Sequence, residues 1–503
     1  MEPAEPYDLL IVGGGINGAG LARDAAGRGF KVLLVEQDDL ASGTSSASSK
    51  LIHGGLRYLE LYEFRLVREA LAEREVLLSI APHIIRPLRF VLPHDASLRP
   101  AWMIRAGLFL YDHLAPRSRL PASEVLALAR NAAGAPLQPG FTRGFAYSDC
   151  WVDDSRLVVI NAIDAAERGA TVRTRCRFVS ATPHGERWRA TIQPADGAAE
   201  EVEARLLVNA AGPWVDEVLR DGLGRAGPSK LRLVKGSHIV VPRVYEGEHA
   251  YILQNADRRI VFVIPFEQRF TLIGTTDEFF EGDPGQAAIS AAETDYLCAS
   301  ASRFLKAAVR AEDVVWTYAG VRPLYDDAAA DASTLTRDYA FDLLTEEGRP
   351  PVLSIFGGKI TTYRRLAEHA LRKIEPLLRA RGEPWTGRAA LPGGDIPDGD
   401  VAAFRAGLCS RKPWLPVDLA RRLIGAYGTR VDRLLAGAVR LEDLGRDLGA
   451  GLMEHEVDYL VREEWARTAE DILWRRSKLG LHGGPVLEAN LASYLAQSGV
   501  AVC

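Results

Sequence analysis

Tyr7-Asp-Leu-Leu-Ile-Val-Gly-Gly-Gly-Ile-Asn-Gly18, running on through an alanine-rich stretch to Arg28 and then into Lys31-Val-Leu-Leu-Val-Glu36, is the stretch whose reading decides the fold. Tyr7 to Val12 is a short apolar run with β-branched residues, which reads as a buried strand. The run from about Asn17 to Arg28 reads as a helix ended by Gly29, and Lys31 to Glu36 as a second strand. Strand, helix and strand make one βαβ unit, which requires a parallel sheet covered on both faces. The turn carries Gly13-x-Gly15-x-x-Gly18. The first glycine permits the tight turn, the second lets backbone approach a pyrophosphate, and the third lets helix pack closely on strand. The helix N-terminus then offers free N–H groups to phosphates. Glu36 stands near the spacing expected of an acid that binds an adenosine ribose, which disfavours NADP and leaves NAD and FAD open.

Working outward, Ala41 to Gly55 is rich in Ser and Gly, and its position directly after the nucleotide unit makes it a cofactor-wrapping loop rather than a linker. A helix is expected from about Tyr58 to Ser79, with Leu59, Tyr62, Leu66, Ala70 and Leu77 at near-helical spacing. Another helix is expected near Asp153 to Arg168, and a buried strand from Leu206 to Ala210. Short β runs at Ser237–Val241, Ile260–Ile264 and Phe270–Ile273 read as an antiparallel sheet outside the nucleotide-binding core. A last strand, Val352–Phe356, leads through Gly357-Gly358 into a helix from about Thr361 to Arg379. The strand end Ala210-Ala211-Gly212 and the Gly357-Gly358 helix start lie far from the first motif, and a flavin has a use for both. Negative charge builds on its N1–C2=O edge on reduction, and a helix N-terminus stabilises that charge. Dense turn signals from Leu391 to Asp400 mark a domain boundary, and the pattern beyond is helical. The expected fold is α/β: a discontinuous Rossmann-like FAD-binding domain with a parallel sheet (1–80, 143–212, 334–390), an antiparallel-sheet substrate or cap domain (81–142, 213–333), and an α-helical C-terminal domain (391–503).

Composition limits the function classes. The 503 residues are 47% hydrophobic and 25% charged, which is globular rather than disordered. A net charge of −5 argues against nucleic acid as partner. Five scattered cysteines (Cys150, Cys176, Cys298, Cys409, Cys503) form no C-x-x-C pair, so neither a disulfide framework nor a metal site is expected, and a reducing cytoplasm fits. The N-terminus lacks a signal-peptide pattern, and no apolar stretch is long enough to span a bilayer, so any membrane association is expected to be peripheral.

Six motifs then occur in order: Ser45-Ser-Ala-Ser-Ser-Lys-Leu-Ile-His-Gly-Gly-Leu-Arg-Tyr-Leu-Glu60, Tyr147-Ser-Asp-Cys-Trp-Val-Asp-Asp154, Lys235-Gly-Ser-His-Ile-Val-Val-Pro242, Ile273-Gly-Thr-Thr-Asp277, Gly320-Val-Arg-Pro323 and Phe356-Gly-Gly-Lys359. Together with Asp471-Ile-Leu-Trp-Arg-Arg476 they resemble the aerobic, FAD-dependent glycerol-3-phosphate dehydrogenases of bacteria, from Tyr7 into the C-terminal helical region. The resemblance implies noncovalent FAD held by Gly13, Gly15, Ile16, Asn17, Gly18, Glu36, Thr44, Ser45, Ser46, Ser49, Lys50, Leu51, His53, Gly54, Gly55, Ala211, Gly212, Gly357, Gly358, Lys359 and Thr361. It implies oxidation of glycerol 3-phosphate to dihydroxyacetone phosphate, with hydride passing from C2 to flavin N5 and electrons to a membrane quinone. A small dianion calls for several cations, and Arg57, Arg322, Arg337 and Lys359 all lie in or near these motifs. Tyr58 and Thr275, with Thr276, are further candidates for the substrate site. The C2 hydroxyl must lose a proton, and a histidine suits that task. His53 is preferred because the flavin loop carries it, His238 is the reserve, and Arg322 is placed to stabilise the developing oxyanion.

Competing readings are an oxidase on the same scaffold that uses O2, an FAD amine or amino-acid oxidase, and a flavin- or NAD-binding protein without turnover. Quinone delivery implies docking to an anionic membrane surface from the cytoplasmic face. Two segments suit that role: Trp102 to Tyr111, and the helix Thr361 to Arg381, in which Tyr363, Leu366, Leu371, Ile374 and Leu378 alternate with Arg364, Arg365, Arg372, Lys373, Arg379 and Arg381. The oligomeric state is open, a homodimer included.

Overall fold

The computed structural model describes residues 5–95, 99–117, 119–225, 231–257, 259–325, 338–378 and 382–498. Two sheets organise them. In the first, Val352–Phe356, Glu200–Asn209, Tyr7–Val12, Val32–Val35 and Thr171–Arg173 lie side by side in parallel, with Ala340–Leu344 added antiparallel at one edge. The antiparallel hairpin Cys176–His184/Arg187–Pro194 pairs with the first half of Glu200–Asn209. The central strands are continuously apolar because both faces are buried. Leu9, Ile11, Leu34, Val208 and Ile355 face the helices Ile16–Gly27 and Tyr363–Ile374. Leu10, Val12, Leu33, Val35 and Leu207 face the hairpin around buried Trp188.

The second sheet has ten strands. It is antiparallel except where Ala250–Gln254 runs parallel to Ile85–His94. Helix Ala291–Phe304 covers one face, and helices Phe64–Ile80 and Ala101–His113 the other. Arg143–Val152, grouped by sequence with the nucleotide-binding part, pairs along its whole length with Ile85–His94 in this sheet, and Leu51–Ile52 pairs with it in turn. The flavin loop therefore runs from one sheet into the other.

Two expected helices are shorter than their periodicity suggested. The helix drawn from Tyr58 begins at Phe64, after a 3-10 turn over Leu56–Leu61, because Tyr62 adopts a left-handed φ of 60° and is 79% exposed. The helix after Gly357-Gly358 is α-helical only over Tyr363–Ile374, and Pro376 turns its end into a 3-10 segment. Arg379 and Arg381 lie outside the described residues, as do Arg337 and Cys503. The turn-dense boundary near Leu391 is not a loose tether. Leu391 N donates to Ile80 O at 2.9 Å, and a Cβ on Gly394 would lie 2.0 Å from that oxygen. Beyond it, helices from Val401–Arg411 to Gly480–Gln497 enclose a core of their own.

Candidate active site

A cavity of about 930 Å³ opens at the carboxyl ends of the parallel strands, where ligands of open α/β sheets bind. Gly13 turns there with φ +113°, and a Cβ would stand 2.5 Å from Ala210 O. Gly18 sits behind the turn, where a Cβ would fall 1.9 Å from Gly13 O, so the third glycine sets the helix-to-strand approach. Glu36 accepts from Gly14 N at 2.6 Å and from Asp38 N at 2.9 Å. Burial outweighs these bonds and pushes its pKa up to about 7. The two distant glycine turns meet: Asn17 Nδ2 donates to Gly357 O at 3.2 Å, and Gly357 and Gly358 have φ of +68° and +95°. Gly13, Gly15, Ile16, Asn17, Glu36, Thr44, Ser45, Ser46, Ala211, Gly212, Gly357 and Gly358 all line the cavity.

The loop is fixed by side chains. Ser45 Oγ accepts from Ile16 N at 3.0 Å, and Thr44 Oγ1 donates to Val321 O at 2.6 Å. Lys50, fully buried, donates from Nζ to Asp154 Oδ1 at 2.7 Å and to Ser46 O at 2.9 Å. A buried ammonium needs such a partner. Lys50 is therefore an anchor of the loop, and it does not line the cavity. Ser49 Oγ meets His238 Nε2 at 2.9 Å. Leu51 pairs with Trp151, Gly54 N donates to Tyr111 OH at 2.9 Å, and Gly55 turns with φ +76°. His53 N donates to Thr361 Oγ1 at 3.2 Å. Lys359 Nζ lies 3.7 Å over the Tyr58 ring, and Arg57 stands half-buried on the same 3-10 turn.

Strand register brings the remaining candidates into one region. Tyr318, His238, Gly274 and Phe262 are successive cross-strand neighbours. Glycine is required at 274, where a Cβ would lie 2.1 Å from His238 Cδ2. His53 packs edge-on against Phe262 at 6.4 Å, so the two histidines stand on either side of Gly274 in this row. Arg322 pairs with Asp277 and donates to Thr275 Oγ1 at 3.3 Å. Gly236 leaves room for the guanidinium, since a Cβ there would lie 2.5 Å from Nη2. Burial, together with Arg322 and Lys50, holds His238 well below the ordinary histidine range, so it is neutral. Thr276 belongs to the scaffold: its hydroxyl and that of Ser237 both donate to buried Glu293 at 2.8 Å. Sequence reading missed Trp316 and Tyr318, which line the cavity from alternate positions of one strand. It also missed Asp277 as the partner of Arg322.

The residues present suit FAD. Both glycine turns line the cavity, and among the described residues Asn17 Oδ1, at its wall, is buried without a protein hydrogen-bond partner. Residues 8–364 match the FAD dependent oxidoreductase family, and residues 385–492 match the C-terminal domain of alpha-glycerophosphate oxidase. The chain is 57% identical over 492 residues to the glycerol-3-phosphate dehydrogenase of Pseudomonas aeruginosa, covering 98% of this chain and 95% of the relative. The chain belongs to the FAD-dependent glycerol-3-phosphate dehydrogenase family. It is an FAD-dependent enzyme. It is also 51% identical to the D-erythritol 1-phosphate dehydrogenase of Brucella abortus, with 98% of each chain covered. Its fold matches the FAD-complexed glycerol-3-phosphate dehydrogenase of Bacillus halodurans with a TM-score of 0.78 at 26% identity, covering 98% of this chain and 91% of that one.

Proposed function

We propose that this enzyme oxidises sn-glycerol 3-phosphate to dihydroxyacetone phosphate and passes the electrons to a membrane quinone. The observation that carries the reading is the 57% identity to a glycerol-3-phosphate dehydrogenase across nearly the whole of both chains. FAD, held by the glycine turns at Gly13 and Gly357 and by the Ser45 loop, would supply the two-electron acceptor for the C2 hydride. The protein does the rest. Arg322 holds the substrate and stabilises charge developing on the C2 oxygen. Lys359 and Arg57 take the phosphate, and Tyr58 and Thr275 orient it. His53 removes the hydroxyl proton. His238, a poor proton acceptor because of its burial and the charges of Arg322 and Lys50, instead keeps the Ser49 end of the loop in place.

The membrane reading rests on one of the two expected segments. On helix Ala101–His113, Leu108 and Tyr111 are buried, while Trp102 (70% exposed), Met103, Phe109 (57%) and Leu110 face outward. Tyr62 and Phe64 are exposed at the end of the turn that packs against this helix. An apolar patch of this kind suits a lipid interface. The other segment does not suit it: Leu366, Leu371 and Ile374 are buried against the parallel sheet, Tyr363 is buried beside helix Asp154–Glu167, and Arg364 is buried between Glu73 and Glu368. No helix of the described residues is long and apolar enough to cross a membrane. The exposed apolar side of helix Ala101–His113 supports reading it as the docking element, with the enzyme approaching from the cytoplasmic face.

Anaerobic addition of glycerol 3-phosphate to the purified yellow protein should bleach its flavin, and a quinone analogue should restore the colour. Bleaching by a longer polyol phosphate alone would favour the second reading, to which the 51% identity with an erythritol-phosphate enzyme points. Bleaching by amino acids instead would sink both. Rapid oxygen uptake without quinone would identify an oxidase.

A further inference from the structure

Among the described residues, the C-terminal helical unit reaches into the cofactor cavity at one place. Between Glu454–Glu464 and Gly480–Gln497 the chain makes a π-helical turn, Asp471–Arg476, and Glu470, Trp474 and Arg475 line the cavity. Such turns bulge a helix by one residue and are frequent at functional sites. Trp474 stacks on Trp316, with centroids 4.6 Å apart and planes at 23°. Trp316 leans on Tyr318 at 4.9 Å, and Tyr318 stacks on His238 at 4.7 Å and 16°. An aromatic column thus runs from the C-terminal unit to the histidine that holds Ser49.

Buried charges lock the turn on both sides. Arg476, with no exposure, donates from Nη1 and Nη2 to the two oxygens of Asp39 at 2.7 and 2.8 Å, and from Nη2 to Glu464 O at 2.7 Å. Arg475 Nε reaches the same Asp39 carboxylate at 2.7 Å. Asp39 follows Glu36 by three residues, so the nucleotide end of the cavity and the C-terminal unit share one anchor. Beyond the turn, Lys478 Nζ donates to Ser155 Oγ at 2.8 Å, beside the Asp154 that holds Lys50. Gly480 clears space for the indole, since a Cβ there would stand 2.5 Å from Trp474 Cζ2. A helical appendage that served only to shield the core would have no use for an indole in the cavity.

We infer that Trp474 is a positioning residue of the FAD site: the C-terminal unit completes the cavity wall with this ring and keeps Trp316, Tyr318 and His238 stacked. This rests on the cofactor reading, and its test separates the two. Wild type, Trp474→Ala, Trp474→Phe and Val439→Ala (position 439 is 76% exposed in the same unit) are stripped of flavin and titrated with FAD. Trp474→Ala should bind FAD roughly ten- to hundred-fold more weakly, as losing an aromatic wall typically costs. Trp474→Phe should recover most of that affinity, and Val439→Ala should match wild type. FAD should quench the tryptophan fluorescence of wild type, and Trp474→Phe should lose part of that quench. Wild-type affinity in Trp474→Ala, or an undiminished quench in Trp474→Phe, overturns the assignment. The quench decides the matter even where the alanine variant fails to fold. A wild-type chain that took up no FAD would count against the cofactor and not against Trp474.

Discussion

In the mechanism we propose, Arg322 does two things, holding an anion and meeting charge that grows during reaction, and its contacts to Asp277 and Thr275 would fix the guanidinium for both. Its removal should therefore touch turnover more than cofactor. Arg322→Ala is expected to lower kcat about 100- to 1,000-fold, the usual cost of losing an oxyanion-type donor, while flavin absorbance shows FAD still bound. Near-normal steady-state kinetics would remove Arg322 from the site. The histidines divide differently. A neutral His238 cannot be the group whose protonation shuts the enzyme down in mild acid. On the proposed reading His53→Asn should lower kcat about 100- to 10,000-fold, the usual cost of losing a general base, and His238→Asn should lower it less. Steady-state kinetics showing the reverse order would exchange their roles.

Helix Ala101–His113 makes the membrane reading testable as an element. Trp102→Asp with Phe109→Asp should abolish binding to anionic liposomes and leave turnover with a soluble acceptor within a few-fold of normal, as checked by vesicle flotation beside a dye-reduction assay. Undiminished flotation would move the docking surface elsewhere. Arg372→Glu should matter less, because the apolar face of its helix is committed to the core. That helix shows where sequence stops being legible. An apolar stripe with cations between its residues reads alike on a membrane and on a sheet, and only the sheet at its back decides. The βαβ unit was legible because glycine spacing, strand composition and Glu36 each impose the same local geometry. The break at Tyr62 was not, because a tyrosine in a left-handed turn leaves the helical spacing around it intact. That Arg143–Val152 joins the second sheet could not be read from its residues, because an apolar strand carries no mark of which sheet it joins. Trp474 was quoted in a motif without a role, since its partners Trp316 and Asp39 are distant in sequence, and no local pattern records such contacts.

At the scale of the molecule, the C-terminal unit meets the core through groups that dislike acid. His83 lies beside Gly393 and Gly428, buried, with no partner on either nitrogen among the described residues, and burial with Arg156 nearby lowers its pKa to about 3. The unfolded chain takes up this proton near the ordinary 6.5, so the contribution is complete above that pH and drains away as pH falls towards 3, by at most about 1.4 kcal/mol per pH unit. Asp471, held to about 2 by Arg467 and Thr468 N–H groups and by Arg175 and Arg475, loses its contribution later, between about pH 4 and 2. Thermal unfolding should thus show a fall in Tm from pH 7 to 5 that flattens in His83→Leu, and an unchanged slope in that variant would clear His83. The same long-range assembly bears on how a cell handles the chain as it is made. The parallel sheet closes only when Val352–Phe356 docks beside Glu200–Asn209, and the cavity wall only when Trp474 arrives. Until then a newly synthesised polypeptide carries an open strand edge, the kind of surface that invites aggregation and capture by proteases. FAD binds the finished fold and draws the equilibrium towards it. Vitamin supply should therefore act as an inspector of new molecules: in riboflavin-starved cells the amount of soluble protein should drop while its messenger RNA holds steady.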